Sequence, residues 1–334
     1  MKILLTMCCR RVYSAVAWEI VGEIGSNKIS NSPAHLPVML SEVLFWLRPH
    51  ADGVYLDCTV GYCGHAQRIL QASQPSGIVI GIDRDTEAIN AGRQHLHGYG
   101  ARATLVKAHF MELKQILAEQ GISSVQGVLF DLGVSSPQLD EPTRGFSFQS
   151  EGPLDMRMDQ GSGRTAADIV NGLDEADLAD MIYGLGEERY SRRIARAIVG
   201  ARRQQPLTTT RELTSVIEAA VPSHYRRGRI HFATRTFQAL RIAVNQELEY
   251  LGAALSAAAE ALAPGARLCA ISFHSLEDRI VKQTFKALSA ESGGELEILT
   301  KRPQVPTEAE RDRNPRSRSA KLRVMQRIVK EGCA

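Results

Sequence analysis

The sequence lacks paired cysteines and long apolar runs. Its six cysteines form no CxxC pair and have no histidines at zinc-site spacing; they are Cys8, Cys9, Cys58, Cys63, Cys269 and Cys333. We therefore expect reduced cysteines, no metal and a cytoplasmic location. The two apolar runs near the start are each only about seven residues long, which is too short to cross a bilayer. The sequence thus predicts no association with a membrane.

The chain also has little net charge, since the formal value at pH 7 is +3 for 334 residues. The basic residues are concentrated near the end. Residues 301–330 contain ten Lys or Arg against three Asp or Glu, which leaves the rest of the chain net acidic. Such a segment favours contact with a polyanion, and a solvated tail is the alternative. A hydrophobic content of 44% allows one large core, or a main domain with a lesser one.

Residues 1–34 carry little pattern. They are poor in acids, and Arg10 and Arg11 interrupt their apolar runs. We expect a disordered extension or an upstream start here, with an organellar targeting segment as the alternative. From His35 onward helical spacing begins, and Pro37 and Pro49 bound a predicted helix that covers one edge of a sheet.

Short apolar runs then alternate with helical patterns. The runs predict four strands, at Val54–Cys58, Ile78–Ile82, Thr104–Ala108 and Gly127–Phe130. This alternation is typical of a doubly wound parallel sheet, in which a ligand lies outside the carboxyl ends of the strands.

The first strand leads into a turn that contains Gly61 and Gly64. Such a turn lets backbone N–H groups approach a ligand, and Asp83, after the second strand, is placed to bind ribose hydroxyls. A turn of this kind can also bind nothing, and strand-end acids can simply cap the next helices. Five residues are expected to meet in one crevice: Asp57, Asp83, His109, Phe110 and Asp131.

After the fourth strand the pattern changes. Residues 132–163 form a long loop, and residues 164–262 read as helices, the last of them running from Ala233 to Leu262. We therefore expect an N-terminal extension at 1–34, a main domain at 35–140 and 236–330, and an inserted helical domain at 141–235. In the insertion Thr209 and Glu212 predict a capping box.

The sheet is predicted to resume at 267–273 and to end with two further strands at 295–300 and 321–328. A closing antiparallel pair beside a parallel five-stranded sheet is typical of class I S-adenosylmethionine-dependent methyltransferases with a Rossmann-like sheet. A dinucleotide fingerprint would need glycine where the chain has Cys63 and Ala66. We therefore predict an α/β fold of the methyltransferase class, with an inserted all-helical domain.

Several motifs are specific enough to be recognised. They include D-C-T-V-G-Y-C-G-H at 57–65, F-D-L-G-V-S-S-P-Q-L-D at 130–140, R-G-F-S-F at 144–148, P-L-D-M-R-M-D at 153–159 and I-S-F-H-S-L-E-D-R-I-V-K at 271–282. Through these motifs the chain from His35 to Ile328 resembles the bacterial 16S ribosomal RNA cytosine-N4 methyltransferase family, RsmH or MraW.

The resemblance implies S-adenosylmethionine as the cofactor. It also implies that the substrate is the N4 amine of a cytidine in the decoding region of 16S ribosomal RNA, in the P site, at position 1402 in the usual rRNA numbering. The partner would be 16S ribosomal RNA within the small ribosomal subunit. A homodimer is a further expectation, because large RNA-modifying enzymes of this class often pair.

The resemblance places the cofactor against Cys63, Gly64, His65, Asp83, Phe110, Asp131 and Gln138. One of these departs from the family, which usually has glycine where this chain has Cys63. If the backbone there is left-handed, a cysteine is strained and the affinity for the cofactor falls.

Methyl transfer to an amine needs acceptors that hold its N–H groups and take its proton. We expect Asp131, with Ser135 and Ser136, to do this, and His274 to relay the proton. The alternatives are that Asp131 binds only the cofactor, that the serines cap a turn, and that His274 is a structural hydrogen bonder.

The substrate base must be splayed out of the folded RNA, and Phe146 and Phe148 are expected to stack on it. Further arginines are expected to contact RNA phosphates: Arg192, Arg193, Arg196, Arg316 and Arg318. For the arginines on the helix, an ordinary solvated face is the alternative.

Overall fold

The structure is a computed structural model that describes residues 37–329. The extension predicted at 1–34 lies outside these residues. Within residues 37–329, no helix is both long enough and apolar enough to cross a membrane.

A mixed sheet forms the centre of the described chain, in the order β3-β2-β1-β4-β5-β7-β6. Five strands are parallel, namely β1 (Val54–Asp57), β2 (Ile78–Asp83), β3 (Ala103–Lys107), β4 (Val125–Asp131) and β5 (Leu262–Ser272). The last two, β6 (Leu296–Ile298) and β7 (Lys321–Arg327), run antiparallel to their neighbours. The predicted fold class is therefore confirmed.

The helices fall into two groups. Those packed on or beside the sheet are α1 (Leu40–Leu47), α2 (Gly64–Ala72), α3 (Thr86–His95), α4 (Leu113–Glu119), α5 (Ser136–Asp140), α12 (Leu251–Glu260), α13 (Ser275–Glu291) and α14 (Glu308–Arg313). Between α5 and α12 lie α6 (Ala166–Gly172), α7 (Glu175–Gly186), α8 (Ser191–Arg202), α9 (Thr210–Ala220), α10 (Ser223–Arg226) and α11 (Thr234–Asn245).

Each face of the sheet has an apolar core. Leu117, Leu255 and Phe285 belong to the core on one face, and Val43 and Ile69 belong to the core on the other. A third core joins the inserted helices. It begins at Phe146 and extends to Leu240 on α11. The boundaries 141–235 for the inserted domain stay a prediction.

The prediction of a single helix from Ala233 to Leu262 is wrong. The segment contains two helices, because Gln246 takes a left-handed backbone (φ 51°) and ends α11. Residue Leu262 already starts β5, where it pairs with Val125. Residues 263–266 then bulge out before the pairing resumes, so Pro264 and Gly265 interrupt a strand and do not end a helix.

Local signals elsewhere agree with the structure. The capping box at Thr209 and Glu212 is present, with each side chain accepting the other's backbone N–H. Between β6 and β7 the chain contains α14 and a 3₁₀ turn at Pro315–Ser319.

Candidate active site

A cavity opens at the carboxyl ends of β1, β2 and β4, where a doubly wound sheet binds its ligands. Many of the predicted site residues line it, namely Gly64, His65, Asp83, Phe110, Asp131, Ser136 and Gln138. Neither Cys63 nor His274 belongs to the lining. The sheet topology thus brings most of the predicted set together.

The β1–α2 turn is pinned to the end of β2. Gly61 has a positive φ of 48° and donates its N–H to Asp83 Oδ2 at 2.8 Å. A Cβ on Gly64 would lie 2.7 Å from Pro37 Cγ, so the close approach at this position requires glycine. The turn therefore presents bare backbone at the cavity.

Cys63 has a left-handed backbone (φ 67°, ψ 21°). This is the conformation in which a cysteine at this position is expected to be strained. For a non-glycine residue this costs roughly 1–2 kcal/mol. The sulfur is fully buried and points at Gly92, whose Cβ, if present, would lie 2.5 Å from it. Burial, with the charges of Asp57 and Asp83, raises the pKa of this thiol to about 12. Its side chain packs behind the turn, so only its backbone can face a ligand.

Burial raises the pKa of two carboxyls at strand ends, Asp57 and Asp83. Burial, with the charge of Asp83, raises the pKa of Asp57 to about 7, although the Thr59 N–H opposes the shift. The pKa of Asp83 is raised to about 6 by burial, against the N–H groups of Asp85 and Gly61. Each oxygen of Asp83 accepts one backbone N–H and keeps a lone pair for a further donor.

Asp131, at the end of β4, has one committed oxygen and one that is covered but unused. Oδ1 accepts no hydrogen bond from any residue between 37 and 329. Oδ2 lies 3.5 Å from Nδ1 of His65. Burial, together with the charges of Asp57 and Glu277, raises the pKa of Asp131 well above its usual value.

His65 fixes where a proton must lie. Its Nε2 is 3.0 Å from the carbonyl oxygen of Val38, which can only accept, so Nε2 carries a hydrogen. Its Nδ1 faces Asp131, and the two atoms attract each other only if a proton lies on one of them. A proton on either atom would join the two side chains beside the cavity.

One serine in the loop after β4 has the capping role that was the alternative to a catalytic role. Ser135 caps α5 in a capping box with Gln138, so this serine does cap a turn. Ser136 is buried and lines the cavity. The amide of Gln138 donates to Asp85 Oδ2 at 2.7 Å, which ties the loop to the end of β2.

Sequence reasoning missed Arg144, a side chain only 2% exposed that connects this loop to the site. It donates to Asp85 Oδ2 at 2.9 Å, to Glu87 Oε2 at 2.8 Å, and to the carbonyls of Arg157 and Met158. The signal was available in the motif R-G-F-S-F, since an arginine beside Gly145 in a long loop is a candidate for a buried ion pair.

His274 forms structural hydrogen bonds, which was the alternative to its predicted role as a proton relay. Its Nδ1 accepts the N–H of Glu277 and so caps α13, and its Nε2 lies 3.1 Å from Glu277 Oε1. Glu277, which the sequence did not single out, lines the cavity. Burial raises the pKa of Glu277, but the hydrogen bond and charge of His274 and the charge of Arg241 bring it below its usual value. An anionic carboxylate is thus held at the cavity.

The ligand atoms of Glu247, His274 and Glu277 lie within 4.8 Å of one another, as a metal site would require. Arg241 already binds Glu247 through two hydrogen bonds of 2.9 Å. A cation at this place would have to displace that guanidinium, so the geometry favours an ion pair over a metal.

The aromatic residues predicted for the site lie in different parts of the structure. Phe110 lines the cavity, with its ring edge-on to Phe130 at 5.9 Å. Phe146 is buried in the helical core, and Phe148 stacks on His231 at 4.4 Å. The structure therefore places neither Phe146 nor Phe148 against the cavity.

The predicted RNA-binding arginines are exposed. Arg192 and Arg193 lie on α8 with Arg196, which pairs with Glu175 at 3.3 Å. Arg316 binds Asp140 at the end of α5, and Arg318 lies on the 3₁₀ turn nearby. Their contact with RNA stays a prediction.

The residues of the cavity fit S-adenosylmethionine. The bare backbone at Gly61 and Gly64 admits close approach, and Asp83 has free lone pairs for ribose hydroxyls. Phe110 offers an aromatic ring, and the partly exposed carboxyl of Asp131 suits a cationic group. The cofactor-binding role of these residues and of Gln138 stays a proposal.

Comparison with known proteins agrees with this fit. The model of the MraW methylase family matches residues 32–328. A ribosomal RNA small subunit methyltransferase H from Syntrophobacter fumaroxidans is 50% identical over 306 residues, covering 88% of this chain and 96% of that protein. The protein of the same name from Bradyrhizobium diazoefficiens is 49% identical over 309 residues, covering 89% and 92%. The chain is therefore an S-adenosylmethionine-dependent methyltransferase that belongs to the MraW methylase family.

Proposed function

We propose that the chain methylates the exocyclic N4 amine of a cytidine in the P-site decoding region of 16S ribosomal RNA. The names of its relatives support the small-subunit RNA as substrate. The observation that carries the choice of an amine is Asp131, a strand-end carboxyl that lines the cavity with a partly exposed side chain. Amine methylation needs an acceptor at such a place, because the nitrogen must lose a proton.

S-adenosylmethionine, when bound, supplies a methyl group on a sulfonium. The N4 lone pair of cytosine is delocalised into the ring, so the nitrogen is a weak nucleophile. The carboxylate of Asp131, whose side chain is 25% exposed and lines the cavity, can accept one N–H of the amine, which localises the lone pair and orients it. The anionic Glu277 beside the same cavity favours the partial positive charge that develops on the nitrogen.

The proton released from N4 has a defined destination. In the reactive form of the pair, Asp131 is a carboxylate and His65 holds the proton on Nδ1. Asp131 then takes the N4 proton as the C–N bond forms. His65 keeps its Nε2 hydrogen on the Val38 carbonyl throughout and so maintains the orientation of the pair. Ser136 lies within the same lining, at the start of the short helix α5 that follows β4.

His274 has a positioning role in this proposal. It holds Glu277 and the start of α13, and it lies outside the cavity lining, so we assign it no proton transfer. The substrate is taken from the small ribosomal subunit in the cytoplasm, and the arginines of α8 and of the 315–319 turn contact its phosphates. A homodimer stays a prediction.

The proposal can be tested with purified protein and labelled S-adenosylmethionine. Small subunits from cells that lack the enzyme should accept label, whereas large subunits should not. Asp131→Asn keeps the size of the side chain but cannot take the proton, so transfer should fall about 10²- to 10⁴-fold. The matched control is Asp180→Asn, an exposed aspartate on α7. Equal labelling by Asp131→Asn and the control would contradict the assignment.

A further inference from the structure

Arg189, between α7 and α8, lies against two tyrosine rings. Its guanidinium carbon is 4.9 Å from the ring centroids of both Tyr190 and Tyr225. The side chain is exposed, and no carboxylate of residues 37–329 forms an ion pair with it. Its position is set by aromatic rings and not by an acid, so its N–H groups remain available for an external anion.

The two rings are themselves held in place. They meet edge to face, with centroids 4.9 Å apart. The hydroxyl of Tyr225 donates to the carboxylate of Glu188, whose other oxygen accepts the N–H of Tyr190 at 2.8 Å. Glu188 is fully buried. The acid closest in sequence to Arg189 is therefore hydrogen-bonded to the tyrosines, and the guanidinium is held in place without a direct ion pair to a carboxylate of residues 37–329.

The surroundings are basic. Arg193 lies 5.9 Å from the Tyr190 ring, and His224 Nε2 is 3.4 Å from the Tyr190 hydroxyl. Arg227 and Arg229, in the segment after α10, are exposed. A plane of guanidinium on aromatic rings among further cations is a surface that suits single-stranded nucleic acid, which offers a phosphate and a flat base together.

This surface is connected to the cavity. Glu187, two residues before Arg189, binds Ser275 and also Arg279, the latter at 3.0 Å. Both lie at the start of α13, where Phe273 and Glu277 line the cavity. Two peptide units span at most about 7.6 Å between Cα atoms, so Arg189 lies close to this contact. The chain from the cavity to Arg189 is short.

We infer that Arg189, Tyr190 and Tyr225 dock an unpaired nucleotide of the RNA substrate that lies beside the target cytidine. Arg189 binds the phosphate through its planar N–H fork, and the base stacks on the outer face of the guanidinium that the two tyrosines hold. This inference rests on the proposed function, which it deepens by naming a single-stranded flank as a recognised part of the substrate.

The test measures binding of the full chain to a short unstructured RNA at a series of salt concentrations. Arg189→Ala should weaken binding about tenfold or more and reduce the slope of log K against log salt by about 0.7. Arg189→Lys keeps the charge but not the planar fork, so it should restore the slope and not the affinity. The matched control is Arg211→Ala, because Glu151 already neutralises that exposed arginine at 3.0 Å.

Indistinguishable binding by Arg189→Ala and Arg211→Ala overturns the inference. So does an Arg189→Ala variant that binds RNA normally but methylates assembled subunits slowly, because the partner of this surface would then be a protein of the subunit. Affinity for S-adenosylhomocysteine, the donor product, should be unchanged in all variants and reports their folding. If Arg189 governs RNA binding while the modified nucleoside is not N4-methylcytidine, the proposed function fails and the docking surface remains.

Discussion

Replacing Asp57 by asparagine should change how the stability of the protein depends on pH. Asp57 ends β1, is 1% exposed, and has a pKa raised to about 7 by burial. A carboxyl whose pKa is raised on folding favours the folded state while it is protonated. That contribution is complete below the unfolded pKa of about 4 and is lost as the pH rises through about 7.

The structure gives the size of this effect. A rise of about three pKa units corresponds to about 4 kcal/mol, of which about 2.5 kcal/mol should be lost between pH 5 and pH 8. Asparagine cannot ionise, and its Oδ1 can still accept the Thr59 N–H that Asp57 accepts at 3.2 Å. The wild type should therefore lose stability over this interval, and Asp57→Asn should lose about 2.5 kcal/mol less.

The assay is urea unfolding at both pH values, compared between the wild type, Asp57→Asn and Asp180→Asn. The comparison uses the difference between pH values, so any constant cost of the amide cancels. Asp180 is exposed, and its replacement should leave the pH dependence of the wild type intact. The same pH dependence in Asp57→Asn as in the wild type would refute the reasoning, because ionisation of Asp57 would then not be coupled to folding.

Three other predictions concern the site. Because the raised pKa of Asp131 lets this carboxyl take a second proton onto the Asp131–His65 pair at low pH, single-turnover methyl transfer should increase with pH, and His65→Gln should alter this profile; a flat wild-type profile contradicts the role of the pair. Cys63→Gly should be about 1 kcal/mol more stable to urea than Cys63→Ala, because only glycine relieves the left-handed backbone; the reverse order contradicts the strain. Arg144→Met should lower the free energy of unfolding by about 3–5 kcal/mol, since it leaves the buried carboxylate of Asp85 without its ion-pair partner. Glu87→Ala should lower it by less than about 1 kcal/mol, and equal losses in the two variants would contradict the buried pair.

Much of the sheet could be predicted from the sequence because its signals are local. The apolar runs that predicted β1 to β4 are bounded by polar or glycine residues, and the structure has a strand at each of these places. Asp83 and Asp131 could be placed together without knowing their distance, because parallel strands end at one edge of a sheet.

The failures came where tertiary contacts decide the conformation. The apolar residues from Ala233 to Leu262 have helical spacing throughout, and only the left-handed residue Gln246 and the pairing of Leu262 with Val125 divide the segment. Phe148 has the sequence context of an exposed loop aromatic, yet it stacks on a histidine more than eighty residues away.

The candidate site shows the same division. Sequence position was enough to select Asp131, but its pairing with His65 depends on Val38, which orients the imidazole and lies in the chain before β1. Glu277 was overlooked because a glutamate in the first turn of a helix is usually exposed, whereas here it is 2% exposed and faces the cavity.

The most direct test is the identity of the methylated nucleoside. Small subunits that lack the modification are treated with the purified protein and S-adenosylmethionine, and the RNA is digested to nucleosides for mass spectrometry with chromatographic standards. We expect N4-methylcytidine from small-subunit RNA, and none from the Asp131→Asn variant. A product methylated at cytosine C5 or at the ribose 2′-oxygen, or label found only in ribosomal protein, would contradict the proposal that this site methylates an amine.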